Sequence, residues 1–383
     1  MRAIVCGAGI AGLTVAGELG RGGWDVTVLE SAAARREQGY MLDFFGPGYD
    51  ASSEMGLLPR LRELAYPVET VSFIAESGRV RHLDYAVIQS GTPTGLVSLM
   101  RPDLELVLFE SLPRSVDVRF GKTLDTVEQD ADTVTAVMTD GSTHTADVLI
   151  GADGIHSRTR AELFGPEQQF IRQLGFHTWA FTFEDRELYE KLGSTWGLTD
   201  TIDRTAGLYR LRNQKIAMFG AHRVRDPALP ADRRAAVMET YSGLGWFVPD
   251  ALPHVPDDSR LYYDQVAQIE LPRWSTGRAV LVGDACQAVS LLAGQGASLA
   301  VAGGRLLARE LLTAGSVDAA FRRYQEQWMP VVADRQAAGR RSARSFLPSS
   351  LYALFMRRAG LRLLQLPGIR RLVTSRIVGK RGA

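Results

Sequence analysis

The sequence predicts an α/β fold, with an inserted, mainly antiparallel β-sheet unit and a C-terminal helical tail. Three observations lead to this prediction. The first thirty residues alternate between short apolar runs and a run with helical spacing, the segment 170–270 contains aromatic strand-like stretches, and residues 296–312 return to helical spacing. At 383 residues the chain is too long for one small core, so two or three packed units are expected.

The composition is that of an ordinary globular protein. Apolar residues make up 45% and charged residues 23%, which argues against a disordered, collagen-like or coiled-coil chain. No stretch reaches the ~18 uncharged apolar residues of a membrane-spanning helix, so we expect a soluble cytoplasmic protein. The two cysteines cannot form a disulfide framework, and no Cys/His cluster has the spacing of a metal site, so no metal is expected.

The net charge of +1 hides an uneven distribution along the chain. Residues 340–383 contain eleven Arg or Lys and no Asp or Glu, which leaves the preceding body with a net charge of −10. A near-neutral whole argues against a nucleic-acid partner, because nucleic-acid binders need a strong positive surface. The chain is therefore an acidic body with a basic tail.

The first thirty residues are predicted to form a strand, a glycine turn, a helix and a second strand, in that order. Gly7, Gly9 and Gly12 form a G-x-G-x-x-G pattern between the strand 2–6 and the helix that starts at Ile10 and Ala11. In a dinucleotide-binding βαβ unit these glycines allow a tight turn, close approach of a pyrophosphate and close helix–strand packing. Glu30 ends the next strand, where an acid binds ribose hydroxyls and disfavours a 2′-phosphate. The pattern favours NAD or FAD at this turn.

Apolar spacing and turn residues also predict the later strands and helices. Two strand-like runs in 68–83 flank a Glu-Ser-Gly turn, and Arg101-Pro102-Asp103 opens a helix that runs to about residue 112. Strands are expected at 116–120, 134–138 and 148–150. The long helix from about 296 to 312 follows the apolar strand 279–282.

Two further motifs make the cofactor assignment specific. Residues 151–160 read GADGIHSRTR after a predicted strand, and residues 277–285 read GRAVLVGDA ahead of GQGAS at 294–298. With the glycine turn, these resemble the ordered "DG" and "GD" signatures of the FAD-dependent monooxygenases of the para-hydroxybenzoate hydroxylase type. The resemblance covers residues 1–330. The sequence departs from the family in having Cys286, Gln287 and Leu291 where Ala, His and Pro are common, and Ser298 where Asn is usual.

The resemblance implies a Rossmann-like FAD-binding domain that carries a β-sheet substrate domain. We expect the FAD-binding domain to comprise 1–70, 100–168 and 272–335, the substrate domain 71–99 and 169–271, and a basic helical segment 336–383. The residues that the resemblance and the turn pattern assign to FAD are Gly7, Gly9, Ile10, Ala11, Gly12, Glu30, Arg36, Arg101, Leu124, Asp153, Asp284, Gly294, Gly296 and Ala297.

The resemblance also implies the activity. NADH or NADPH would act as a transient reductant, molecular oxygen would add at flavin C4a, and the resulting hydroperoxyflavin would hydroxylate an aromatic or polyketide-like small molecule. The flavin would carry the chemistry, so no catalytic side chain is assigned. The expected substrate contacts are aromatic residues of 170–225, chiefly Trp179, Phe181, Trp196 and Tyr209.

Two other functions remain open at this point. One is a reductase or dehydrogenase of an isoprenoid or other small molecule on the same scaffold. The other is a non-catalytic dinucleotide sensor, which would show no turnover.

The basic tail permits two arrangements. Apolar residues recur at helical spacing among its arginines, notably Leu351, Leu354 and Phe355, and again in 369–377. Such a helix can contact an anionic membrane or a partner. It can also pack its apolar side against the acidic body, which supplies countercharge, and we expect this second arrangement.

Overall fold

The computed structural model describes residues 1–35, 39–86, 95–290 and 294–363. The strands among them are β1 (Arg2–Cys6), β2 (Asp25–Glu30), β3 (Met41–Phe45), β4 (Thr70–Ile74), β5 (Val80–Asp84), β6 (Leu96–Met100), β7 (Val116–Phe120), β8 (Leu124–Gln129), β9 (Val134–Met138), β10 (Thr143–Ala146), β11 (Val148–Gly151), β12 (Ile171–Glu184), β13 (Trp196–Thr199), β14 (Arg204–Arg210), β15 (Lys215–Arg223), β16 (Tyr262–Ile269), β17 (Ser275–Thr276) and β18 (Ala279–Leu281).

The α-helices in the described part of the chain are numbered in the same way. They are α1 (Ile10–Arg21), α2 (Pro47–Glu54), α3 (Leu58–Glu63), α4 (Arg101–Glu110), α5 (Arg158–Phe164), α6 (Arg186–Leu192), α7 (Arg233–Tyr241), α8 (Val248–Ala251), α9 (Asp284–Gln287), α10 (Gly296–Thr313), α11 (Val317–Ala343) and α12 (Leu351–Leu363).

A six-stranded sheet forms the centre of the first unit. Its order is β17-β18-β11-β1-β2-β7, and every neighbouring pair is parallel except β17 with β18. Alternate residues of β1 point to opposite faces: Ala3 and Val5 pack with the helices, whereas Ile4 and Cys6 pack with the smaller sheet β10-β9-β8. The unit therefore has three layers, and the carboxyl ends of β1, β2, β11 and β18 meet at one edge.

A seven-stranded sheet forms the second unit, with the order β16-β12-β15-β14-β13-β4-β5. It is antiparallel except where β13 pairs with β4. One of its faces packs on α6, α7 and α8 in a separate core. The other face meets the two-stranded ribbon β3-β6 of the first unit. The predicted α/β fold with an inserted, mainly antiparallel sheet is confirmed.

The boundary between the two units differs in one place from the expected segments. β4 and β5 join β12–β16 in the seven-stranded sheet, but β6 leaves it and pairs with β3. Ser98 of β6 stands opposite Asp43 of β3. The end of the segment 71–99 therefore forms part of the wall between the units.

The C-terminal helices extend from the first unit across the second. α10 packs against α1, and α11 follows it as a 27-residue helix. α12 then meets the seven-stranded sheet, where the Arg358 Nε atom lies 2.6 Å from Asp200 Oδ2.

The expectation that the tail helix packs its apolar side on the body is wrong for Leu351 and Phe355 of α12, whereas Leu354 is buried as expected. Leu351 and Phe355 are exposed, whereas Arg357 and Arg358 face the body. The physical reason is electrostatic. The Asp200 carboxylate is buried, and keeping arginines next to this charge stabilises the fold more than burying the apolar side chains of α12 would. The second apolar run, 369–377, lies outside the described residues.

Candidate functional site

The carboxyl edge of the six-stranded sheet opens onto two connected cavities. The first has a volume of about 300 Å³ and the second about 340 Å³. Four residues line both: Gly9, Arg101, Ala152 and Gly154. The first cavity ends among Leu124, Phe109 and Phe120, and the second ends between β3 and the seven-stranded sheet. Together they form one elongated cleft, which suits a ligand longer than either cavity.

The turn from β1 to α1 borders this cleft. Gly7 has a φ of +107°, and a Cβ at this residue would lie 2.5 Å from the Ala152 carbonyl oxygen. A Cβ on Gly12 would lie 2.0 Å from the Gly7 carbonyl oxygen, whereas a Cβ on Gly9 would meet no atom within 4 Å. The chain's own packing requires Gly7 and Gly12, but Gly9 keeps space open for a ligand.

The helix that follows this turn offers backbone amides to the cleft. Ile10 and Ala11 begin α1 and line the second cavity, and no side chain caps the helix N-terminus. Uncapped amides at a helix start form an anion-binding site. This is where a pyrophosphate could bind.

Glu30 ends β2 beside the same turn and lines the first cavity. Its Oε2 accepts a hydrogen bond of 2.9 Å from the Ala8 amide, and its Oε1 accepts one of 2.8 Å from the Ala32 amide. These bonds fix the carboxylate in place, and its remaining lone pairs can accept bonds from ribose hydroxyls. Arg36 lies outside the described residues, whereas its neighbour Arg35 lines the first cavity.

Asp153 of the DG motif lines the first cavity but uses its carboxylate within the motif. Its Oδ1 accepts a hydrogen bond of 2.5 Å from Ser157 Oγ, and its Oδ2 accepts one of 2.8 Å from the Thr159 amide. The adjacent Gly154 has a φ of +81°, and a Cβ there would meet no atom within 4 Å. Asp153 therefore shapes the turn, and Gly154 leaves room for a ligand.

His156 connects the DG motif to the seven-stranded sheet. Its Nε2 lies 3.1 Å from Asp264 Oδ1, and its Nδ1 lies 3.1 Å from Glu167 Oε1. The hydrogen bond to Asp264 is the largest cause that raises the pKa of His156 to about 9. The imidazolium is therefore the expected form at neutral pH, and it holds β16 against the first unit.

Asp284 begins α9 and faces the second cavity. The protein around the cleft desolvates this carboxylate, which raises its pKa, and the positive charge of Arg101 opposes that rise. Arg101 in turn lies 2.9 Å from Glu105 Oε1. Asp284 and Arg101 supply one acceptor and one cation to the cleft wall, where they can bind a polyol and an anion respectively.

The start of α10 closes the far side of the second cavity. Gly294, Gly296 and Ala297 line it, and a Cβ on either glycine would meet no atom of the described residues within 4 Å. In the same part of the chain, no side chain caps α10. Ser298, at the position where the family has Asn, donates a hydrogen bond of 2.6 Å to the Phe45 carbonyl and accepts one of 2.8 Å from the Gly48 amide. The substituted residue therefore anchors the helix start to β3 and α2.

Gln287, in place of the family's His, has a comparable anchoring function. It donates a hydrogen bond to the Tyr324 hydroxyl and accepts one of 3.1 Å from Trp328 Nε1, which ties the GD motif to α11. Cys286 is buried, and Leu291 lies outside the described residues.

The chemistry of the cleft fits FAD. Glycines without Cβ contacts border both cavities, two helix N-termini lack side-chain caps, and the buried Ser290 Oγ in the second cavity has no hydrogen-bond partner in the described part of the chain. A long ligand with a pyrophosphate and a polyol would satisfy these groups. Within the same residues, no group of three His, Cys, Asp or Glu side chains could hold a metal ion.

Comparison with known proteins decides the family. Residues 1–200 match the FAD binding domain family. A flavin-dependent monooxygenase of Legionella longbeachae is 30% identical over 353 residues, which covers 91% of this chain and 90% of that protein. The chain belongs to the FAD-dependent monooxygenases of the para-hydroxybenzoate hydroxylase type. An uncharacterized protein of Mycobacterium tuberculosis is also similar, at 34% identity over 82% of this chain and 85% of its own length.

Solved structures of the monooxygenase family share the whole architecture. The tetracycline destructase Tet(55) superimposes with a TM-score of 0.81 at 27% identity, covering 97% of this chain and 96% of its own. Klebsiella pneumoniae HpxO, solved with FAD and uric acid, superimposes with a TM-score of 0.79 at 25% identity, covering 99% and 97%. The chain is therefore an FAD-dependent oxidoreductase.

The structure divides the four aromatic residues predicted to contact a monooxygenase substrate. Trp196 and Tyr209 lie on the face of the seven-stranded sheet that meets β3 and β6, where their rings are 5.8 Å apart. Trp179 and Phe181 pack with Tyr241 and Val248 on the opposite face. Because side chains alternate along β12, Thr178 lines the second cavity in their place. Trp179 and Phe181 are core residues, and the expectation that they contact substrate does not fit their position.

Sequence reasoning missed a partly buried carboxylate in the second cavity. Asp43 of β3 lines that cavity, and its Oδ1 accepts hydrogen bonds from Tyr85 Oη and, at 2.8 Å, from Ser98 Oγ. Burial is the main cause that raises the pKa of Asp43, and these two hydrogen bonds oppose it. A strand over 41–45 places Met41, Asp43 and Phe45 on one face, but four of its five residues are apolar, so no alternation in the sequence marked Asp43.

Proposed function

We propose that this monooxygenase uses NADH or NADPH and molecular oxygen to hydroxylate an aromatic or polyketide-like small molecule. One observation carries the proposal: the second cavity continues beyond Asp284 and Gly296 into the space between β3 and the seven-stranded sheet. FAD bound in the cleft would therefore have open space beside its ring end, and a substrate could bind there.

The residues around this space are suited to an aromatic ligand. Tyr40 and Tyr262 lie on one side, with ring centroids 5.7 Å apart. Met41 and Phe45 line the same cavity, and Trp196 and Tyr209 stand behind Met41. Aromatic and thioether side chains of this kind stack on planar ligands and exclude water.

The residues proposed to hold FAD follow from the same geometry. Gly9, Ile10 and Ala11 would receive the pyrophosphate, and Glu30 the adenosine ribose. Asp284 would accept hydrogen bonds from the ribityl chain, and the start of α10 at Gly296 and Ala297 would stabilise negative charge on the reduced ring. When bound, FAD supplies the redox chemistry between the reduced nicotinamide and oxygen.

The protein's own contribution is to position the substrate and to shield the reaction from water. Asp43 is an acidic group on the wall of the substrate space, where it could accept a hydrogen bond from a substrate hydroxyl or N–H. The relatives agree with a compact cyclic ligand: HpxO was solved with uric acid, and Tet(55) is a tetracycline destructase.

The decisive experiment is turnover in ¹⁸O₂ with purified, FAD-loaded protein. We expect NADH or NADPH oxidation to accelerate with a panel of phenols and aromatic polyketides, and one ¹⁸O atom to appear in the product. Substrate-dependent turnover that continues without oxygen would instead indicate the reductase or dehydrogenase. A Gly9→Val variant, which fills the pyrophosphate space, is the control and should show no activity.

A further inference from the structure

α12 presents its apolar side to solvent. Leu351, Tyr352, Phe355 and Met356, which we call the outer face of α12, are exposed by 77%, 73%, 65% and 49%. The other large apolar side chains found exposed in the described residues are scattered singly: Met1, Val80, Tyr262 and Leu312. A contiguous apolar group of this kind marks an interaction surface, whereas single exposed residues do not.

The opposite side of α12 is held against the body by charge. Arg358 Nε lies 2.6 Å from Asp200 Oδ2, and its Nη2 donates a hydrogen bond of 3.1 Å to the Asp200 carbonyl oxygen. Arg357 Nε lies 3.7 Å from Asp200 Oδ1, and its guanidinium lies over the Phe73 ring at 5.4 Å. Leu354 of the same helix is also buried.

This arrangement prevents α12 from hiding its apolar side. Asp200 has no exposed surface, and a rotation of α12 that buried Leu351 and Phe355 would take two arginines away from its carboxylate and leave it Arg81, whose Nη1 lies 3.7 Å from Oδ2. Losing the 2.6 Å ion pair with Arg358 from a buried carboxylate is unfavourable. The outer face is therefore a fixed surface.

The charge of the surrounding chain indicates what covers this face. Residues 340–383 contain eleven basic and no acidic residues, whereas the rest of the chain has a net charge of −10. An anionic surface would attract the tail and repel the body, so only the tail would make contact. A second copy of the chain would bring two basic tails together, and four side chains are far fewer than the ~20–30 residues per side of a stable dimer.

We propose that the outer face of α12 docks onto an anionic lipid surface, with its apolar side chains at the headgroup boundary. This mode needs no spanning segment, because an amphipathic helix can lie in the plane of the interface. None of the described helices is both long and apolar enough to cross a bilayer. The proposal does not depend on the identity of the substrate.

Vesicle co-sedimentation of the full-length, FAD-loaded protein tests this proposal. We expect binding to phosphatidylcholine vesicles that contain about 30 mol% phosphatidylglycerol, at least ~10-fold weaker binding to pure phosphatidylcholine, and weakening by added salt. The double variant Leu351→Ser/Phe355→Ser should lower the partition coefficient by ~10-fold or more, because two apolar side chains no longer enter the interface.

A matched control removes an exposed leucine elsewhere. Leu312→Ser, at the end of α10, should leave vesicle binding unchanged, and the flavin absorbance and melting temperature of each variant establish that it is folded. Equal binding to neutral and anionic vesicles, no binding at all, or unchanged binding of the double variant would overturn the proposal. A dimer of the wild type that the double variant abolishes would assign the face to a second copy instead.

Discussion

The Arg160 guanidinium donates a hydrogen bond of 2.9 Å to the carbonyl oxygen of Ala285, across 125 residues of sequence. Arg160 follows the DG motif and has no exposed surface, and Ala285 follows Asp284 of the GD motif. A second nitrogen of Arg160 donates to the Ile155 carbonyl oxygen at 2.8 Å. One buried side chain therefore sets the spacing between two walls of the flavin cleft.

Replacing Arg160 should separate these walls. Arg160→Met leaves the Ala285 and Ile155 carbonyls without their buried donors, at a cost of ~1–3 kcal/mol each. We expect a lower melting temperature of the FAD-free protein and an FAD dissociation constant raised by at least ~10-fold, measured by flavin fluorescence. Arg172→Met is the matched control, because Arg172 is half exposed and pairs with the exposed Glu270; the interpretation fails if both variants bind FAD equally.

Alanine at position 9 and alanine at position 12 should have different effects: the Gly12 substitution should lower the stability of the protein, and the Gly9 substitution should lower its affinity for FAD. Gly12→Ala places a Cβ 2.0 Å from the Gly7 carbonyl oxygen, so it should destabilise the FAD-free protein by ~1–3 kcal/mol. Gly9→Ala adds a Cβ in open space at a φ of −79°, so the FAD-free protein should melt normally. Its FAD affinity should still fall, by ~10-fold or more. Calorimetry and FAD titration separate the two effects, and normal FAD affinity of Gly9→Ala would contradict the assigned pyrophosphate site.

The sequence identified the glycine turn and Glu30 because their signal is local. A strand, three glycines at fixed spacing and an acid at the next strand end lie within thirty residues, and the conformation of each follows from its neighbours. The same holds for the DG and GD motifs, whose strands, glycines and turns are contiguous in sequence.

The face of each strand in the second unit was not predictable from residue type. Trp179 and Trp196 are equally aromatic, yet they lie on opposite faces of the seven-stranded sheet, and the register of β12 against β16 shifts between Gln173 and His177. The orientation of α12 depends on Asp200, about 150 residues earlier in the sequence, and no local pattern reports that contact.

Asp43 should reduce the stability of the protein at neutral pH. Burial raises its pKa, so the folded state binds a proton more readily than the unfolded state, and stability falls as pH rises through the folded-state pKa. Asp43→Asn keeps an acceptor for Tyr85 and Ser98 but removes the charge. We expect a gain of about 2–4 °C in melting temperature at pH 7, the shift that ~1 kcal/mol produces in a large domain, together with weaker substrate-stimulated turnover.

The gain from Asp43→Asn should shrink at acidic pH, where the wild-type carboxyl is protonated. Asp25→Asn, at the exposed start of β2, is the control and should change neither property. A melting temperature of Asp43→Asn below that of the wild type at pH 7 would show that the ionised carboxylate stabilises the fold.

His222 should cause a loss of stability in acid. It is buried on β15 beside His177 and hydrogen-bonds the Tyr241 hydroxyl, and burial is the main cause that lowers its pKa to about 4. Between pH 6.5 and pH 4 the unfolded state binds a proton that the folded state does not, so stability falls by up to ~3 kcal/mol. In His222→Phe this part of the pH dependence of the unfolding free energy should flatten. An unchanged slope in His222→Phe would assign the acid sensitivity to other groups.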